Sequence, residues 1–235
     1  MVKLFLVWIL AAPALCWGQQ ASDWISYRDV YRQMIWFEKY GKPKQFLQNH
    51  FRLRQREAGA HGEGLRLTLV GKTTRVDLPL DALGRAVFPF SKAAYDDNAE
   101  LVLNRSARQF AYGPWVSIVT RADGVYTVAD LLAACEQMAA FLRHGGGGGG
   151  KNCAGVQFSY AAGDPAQVRV VQGAGTLPGQ APSPSPLPLP AKDGPVFAGD
   201  ALTGFRNFAY RFAAHPNGAQ VLTSSTPLAI TALFE

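Results

Sequence analysis

His50, Arg52, Arg54 and Arg56 stand at every second position of one short stretch, and alternate residues of an extended chain share a face. Phe51 and Leu53 take the opposite face. Guanidinium groups side by side repel one another unless an anion lies across them, and arginine binds phosphate and carboxylate through two parallel hydrogen bonds. Arg66 joins this face if the next strand pairs with the first. Within residues 39–75, nine Lys and Arg stand against two acids, Glu57 and Glu63. That is the sharpest charge feature of a 235-residue chain with formal charge +6. The chemistry implied is anion binding by His50, Arg52, Arg54, Arg56 and Arg66, and the plainer reading is an edge strand guarded by charge.

Other constellations are weaker. His50, His61, His144 and His215 lie far apart with no other ligand type at metal spacing. Asp96, Asp97, Asn98 and Glu100 offer oxygens to calcium, but without the spacing and the glycine of a calcium loop they read as a solvated turn. The glycine run at residues 145–150 is followed by Lys151-Asn152, not by the Lys-Ser/Thr pair and helix start of a phosphate cradle. No Gly-x-Ser-x-Gly elbow occurs, and any two of the seventeen acids could form a glycosidase pair. No catalytic residue, metal ligand or cofactor is therefore assigned.

The basic stretch requires a strand, and residues 46–57 alternate as one, with Gly62 and Gly64 marking a turn before Leu65, Leu67 and Leu69 of a returning strand. Ahead of it, Ser26 and Asp29 open a helix whose Tyr27, Val30, Tyr31, Met34 and Phe37 recur at helical spacing until Gly41 and Pro43 stop it. Thr127 and Asp130 open a second helix, with Val128, Leu131, Leu132, Cys135, Met138, Ala139 and Leu142 along one stripe. Residues 99–103, 115–119, 156–160, 168–172 and 228–234 alternate as strands.

Two segments look like copies. Residues 78–88 and 187–197, aligned without a gap, share Leu, Pro, Leu, Ala, Val and Phe. Residues 98–104 then resemble residues 218–224, after a longer spacing. A repeated strand, turn and strand implies two related β units. Pro182, Pro184, Pro186, Pro188 and Pro190 take every second position, which favours an extended surface loop in the second unit.

Met1-Val2-Lys3 is a short positive opening, residues 4–15 are almost all apolar, and Ala11, Ala12, Ala14 and Gly18 are small. This is the pattern of a secretory leader, too short to span a bilayer, with cleavage expected after Gly18. A lipoprotein reading through Cys16 fits less well, because Leu15 fills a position where a small residue is wanted. In an oxidising compartment Cys135 and Cys153 would pair, closing a loop worth about 3 kcal/mol. Two free buried thiols are the alternative.

The opening helix, Leu78-Pro79-Leu80-Asp81, Gly84, Phe88-Pro89 and Asn98-Ala99 together resemble a family of small exported proteins of Gram-negative bacteria with no assigned activity. The resemblance covers residues 24–106. It implies a periplasmic address and carries over no functional residue.

The expected fold is mainly β with two helices (α+β), built as two sandwich-like antiparallel β units that form a degenerate repeat. The expected division is a leader at 1–18, a first unit at 19–144 that includes both helices, a Gly-rich linker at 145–152, and a second unit at 153–235 with a Pro-rich loop at 177–195. The expected function is that of an exported, non-enzymatic envelope accessory protein, periplasmic or secreted, that binds an anionic polymer, a lipid or a protein. A cell-wall or lipid hydrolase with a site assembled from distant residues is one alternative. A structural subunit of an envelope complex is the other. Nucleic acid is not an expected partner, and no transmembrane segment is expected after the leader.

Overall fold

The computed structural model describes residues 24–56, 64–147, 152–171, 185–214 and 218–235. The leader with Cys16, together with His61, His215, Lys151, the second half of the glycine run and the start of the proline run, lies outside them. The first half comprises β1 (Trp24–Ser26), α1 (Tyr27–Glu38), β2 (Leu47–Gln55), β3 (Leu67–Val70), β4 (Arg75–Leu78), β5 (Arg85–Ala86), α2 (Lys92–Asp96), β6 (Glu100–Leu103) and β7 (Phe110–Ile118). The second comprises β8 (Val125–Thr127), α3 (Val128–His144), β9 (Cys153–Tyr160), β10 (Val168–Val171), β11 (Leu187–Pro188), β12 (Ala191–Gly194), β13 (Phe205–Arg211), β14 (Gln220–Thr223) and β15 (Ala229–Phe234).

These strands form three antiparallel sheets, and their order exposes a duplication. One small sheet runs β1-β6-β3-β4 and the other β8-β14-β10-β11, the same order with corresponding strands. The large sheet runs β5-β2-β7-β15-β9-β13-β12, so β2 and β7 of one half mirror β9 and β15 of the other. Local details repeat too. Ser26 Oγ accepts from Asp29 N at 3.3 Å and Thr127 Oγ1 from Asp130 N at 3.0 Å, each satisfying one of the first free N–H groups of its helix. Tyr27 N then donates to Ala99 O at 3.1 Å, and Val128 N to Ala219 O at 3.0 Å. The helix α3 therefore heads the second half, joined to it through β8, instead of closing the first.

In each half the helix is enclosed between the large sheet and one small sheet. Tyr27, Val30 and Met34 of α1 pack with Phe51 and Leu53 of β2 and with Leu67, Leu69 and Leu101 of the small sheet. Val128, Leu131 and Met138 of α3 pack in the same way with Phe158, Tyr210, Val170 and Val221. Each such large side chain contributes roughly 1.5–3 kcal/mol of transfer free energy. The buried Tyr27 hydroxyl donates to Pro89 O at 2.5 Å and accepts from Ser91 N at 2.8 Å, tying α1 to the segment before α2.

The mainly β, α+β, sandwich-like architecture follows the sequence, and three local readings change. The third helix, α2, is one short turn-rich segment that the hydrophobic pattern did not announce. β7 runs straight through Gly113-Pro114 instead of starting after it, with Pro114 opposite Phe51 and Gly113 opposite Arg52. The copies at 98–104 and 218–224 do coincide, since Ser26 pairs with Glu100 and Thr127 with Gln220. The copies at 78–88 and 187–197 are out of step by two residues. Leu78 stands opposite Leu67, whereas the matching backbone bond of β10 is Leu189 N to Val168 O at 2.8 Å. Leu78 therefore corresponds to Leu189, and a slip of two keeps every side chain on its proper face, which is why the ungapped alignment looked acceptable.

Cys135 and Cys153 are joined as a disulfide, with Cα atoms 5.9 Å apart. No helix among the described residues is long and apolar enough to cross a membrane.

Candidate functional site

The basic strand forms as β2, and the first of its three arginines is already paired within the chain. Arg52 is 3% exposed. Its Nε donates to Leu83 O at 3.1 Å and its Nη1 to Asp200 Oδ1 at 3.3 Å, while Nη2 also pairs with the Asp200 carboxylate. The guanidinium sits 4.8 Å from the Trp115 ring centre and 4.4 Å from that of Phe197. A buried arginine needs such partners. The anion expected across this face is thus supplied, at Arg52, by the chain itself.

Arg85, opposite Arg52 on β5, is paired with Asp81 at 2.7 Å. His50 is half-buried on the same face, with Nδ1 lacking a partner among the described residues. Burial, reinforced by the Arg85 charge, holds its imidazole below the ordinary value. Arg54 is exposed and lines a recess of about 220 Å3 with Gln33, Tyr112 and Trp115. Arg56 is exposed beyond the end of β2. Arg66 does not join them. β2 pairs with β5 and β7, and the strand after Arg66 pairs with β4 and β6 in the small sheet. The reason is that Leu67 and Leu69 bury against Phe51 and Leu53 across the core, face to face and not edge to edge.

The seam between the halves holds a larger feature. β7 and β15 meet at a single residue pair, Ile118 with Ile230. Beyond it the strands part, and Trp115, Val116, Thr231, Ala232, Leu233 and Phe234 line a cleft of about 1040 Å3. Met138 and Leu142 of α3 also reach it, and Gln157, Asn207 and Ala209 form its strand wall. The segment 190–198 closes the far side. Gly155 lets β9 and β13 approach closely there, because a Cβ at that position would lie 2.0 Å from Tyr210 O.

The cleft's lining is mostly apolar, with a few fixed polar groups. Gln157 Nε2 donates to Val196 O at 3.2 Å, and Asn207 Nδ2 to Pro195 O and Phe205 O, both at 3.3 Å. These bonds hold the strap 195–198 over the strands. Trp115 Nε1 and Asn207 Oδ1 are buried with no hydrogen-bond partner among the described residues, a costly state for a buried polar atom. A largely apolar cavity of this size with a few convergent polar groups is the form small-molecule sites take.

Sequence reasoning missed this site. It read residues 156–160 as an alternating strand, whose Val156, Phe158 and Tyr160 lie in the core, and assigned nothing to the opposite face of Gly155, Gln157 and Ser159. The available signal was that this second face, with Asn207, Ala209 and Thr231, is small and uncharged, unlike an ordinary solvated face. Among the described residues no group of three or more His, Cys, Asp or Glu is placed to hold a metal. Comparison of the chain with protein-family profiles, with curated proteins and with solved structures finds no match.

Proposed function

We propose that this is a non-enzymatic binding protein that holds an apolar small molecule in the seam cleft. The observation that carries the reading is the cleft itself, about 1040 Å3 at the seam between the halves, with walls that are mainly aliphatic and aromatic. A ligand with an apolar body fills such a space, and a polar head would meet Lys192 and Asp193, the charged residues of the lining. The leader pattern and the Cys135–Cys153 bridge support an exported address, periplasmic or secreted. Envelope lipids and their breakdown products are then the ligands within reach.

The test is titration of an environment-sensitive apolar dye into the wild type and into Ala209→Phe, which places a ring in the cleft. Saturable binding lost in the variant supports the reading, and equal binding by both proteins contradicts it. A second reading keeps the anionic envelope partner, now through Arg54 and Arg56, the two arginines of the basic stretch that stay exposed. It predicts salt-sensitive binding to anionic vesicles that Arg54→Ser with Arg56→Ser removes.

A further inference from the structure

The second reading above, an anionic partner for the exposed arginines of the basic stretch, gains residues from the way one loop closes an end of the first half. Residues 104–109 link β6 to β7. At the start of this loop Asn104 N donates to Arg66 O at 3.3 Å, Asn104 Oδ1 accepts from Arg66 N at 2.8 Å, and Asn104 Nδ2 donates to Gly64 O at 2.7 Å. At its end Gln109 O accepts from Arg56 N at 3.0 Å. The loop itself carries Arg105 and Arg108. Arg66, absent from the face of β2, is thus brought to the end of the molecule where β2 delivers Arg54 and Arg56.

The second half makes the same closure without the charge. Leu67 pairs with Leu103 and Val168 with Thr223, so Gln167 stands in the place of Arg66 and Ser224 in that of Asn104. Ser224 N donates to Gln167 O at 3.0 Å, and Ser224 Oγ accepts from Gln167 N at 2.9 Å. The loop that follows, residues 224–228, has no Lys or Arg. One turn is closed twice, once with uncharged side chains, so the fold does not require the arginines. Arg54, Arg56, Arg66 and Arg108 are exposed, and none forms an ion pair with an acid among the described residues. The acids in or beside these segments are Asp77, which accepts from Thr68 Oγ1 at 2.8 Å, and Glu57 and Glu63, which lie outside the described residues. Five arginines against these three acids leave the end positive.

Arg66 adjoins a small sheet and Arg56 the large one, so the charges are spread over an area. A single small anion touches few of them, and a linear polymer is held along a groove. An array of phosphate head groups meets them together, and arginine binds phosphate bidentately. We propose that this end of the first half docks on an anionic phospholipid bilayer, with Arg66 and Arg108 in the contact beside Arg54 and Arg56.

The experiment is co-sedimentation of the protein with vesicles of phosphatidylglycerol and phosphatidylcholine at low and raised salt, with vesicles of phosphatidylcholine alone measuring charge-independent adsorption. Wild type is expected to bind the anionic vesicles and to lose that binding as salt rises. An arginine at such a surface is worth about fivefold in affinity at low salt, so Arg66→Gln with Arg108→Gln is expected to weaken binding by about tenfold or more. Glutamine is what the second half carries in place of Arg66, and thermal unfolding of this variant is expected to match wild type. Arg169→Gln with Arg211→Gln removes the same charge from exposed positions of the second half and is expected to stay within about twofold of wild type, because charges away from the contact are screened. If the two double variants weaken binding alike, net charge alone drives adsorption and the site is wrong. If Arg66→Gln with Arg108→Gln binds as wild type does while Arg54→Ser with Arg56→Ser does not bind, the loop is no part of the contact and the second reading stands without it. If wild type ignores anionic vesicles, the bilayer proposal fails, and binding of soluble polyphosphate in their place would assign the arginines to a polymer.

Discussion

The two halves share one strand order, yet the outer faces of their central strands are filled differently. In the first half that face carries His50, Arg52 and Trp115, and Arg52 is packed between two rings and bonded to Asp200. In the second half it carries Gln157, Asn207, Ala209 and Thr231, uncharged side chains that line the cleft. The strap 195–200 spans both, anchored on Arg52 by Asp200 and on the second half by Gln157 and Asn207. Duplication thus fixes the scaffold, and side-chain volume decides which half is sealed and which holds a cleft.

The largest expected break in this arrangement is Gly155→Val. A Cβ there would meet Tyr210 O at 2.0 Å, and neither backbone can retreat without opening the β9–β13 ladder. A loss of about 4 kcal/mol or more is expected in denaturant unfolding. Next is Arg52→Met, which leaves the Asp200 carboxylate buried without its partner and should cost about 3–5 kcal/mol. Replacing both, Arg52→Met with Asp200→Leu, should recover most of that loss, so a double-mutant cycle by chemical unfolding separates the pair from its surroundings. Removing the bridge with Cys135→Ser and Cys153→Ser should cost about 3 kcal/mol, and the loss should appear as earlier amide exchange in α3 and β9, with the first half less affected.

A smaller effect belongs to pH. The His50 imidazole is held below its unfolded value of 6.5, first by burial and then by Arg85. The unfolded chain therefore takes up this proton before the folded one does, so stability rises with pH through that window and falls as pH drops below 6.5. In urea midpoints measured across that range, His50→Gln should flatten this part of the slope. A slope that is unchanged would place the titrating group elsewhere.

Much of this fold could be read from the chain because its signals are local. Ser26 with Asp29 and Thr127 with Asp130 mark both helix starts, and the alternation in β2, β9 and β15 marks their strands. Cys135 on a buried stripe and Cys153 at a strand head place the bridge. What escaped reading depends on long-range pairing. Whether β3 lies beside β2 or across from it is decided by the core that Leu67, Leu69, Phe51 and Leu53 share, and no local pattern encodes that choice. The partner of Arg52 is Asp200, 148 residues away, so the basic face looked wholly free when Arg52 was already neutralised. The cleft depends on where β7 and β15 part, which is a property of the seam and not of either strand.

The most direct test is heteronuclear NMR of the indole N–H signals during addition of dodecanol. The Trp115 signal, identified by its loss in Trp115→Phe, should move progressively and saturate as the ligand packs beside its ring in the cleft, while those of Trp24 and Trp36 on the surface stay in place. A Trp115 signal that does not move, or an equal movement of the surface tryptophans, would contradict the cleft as the site of binding.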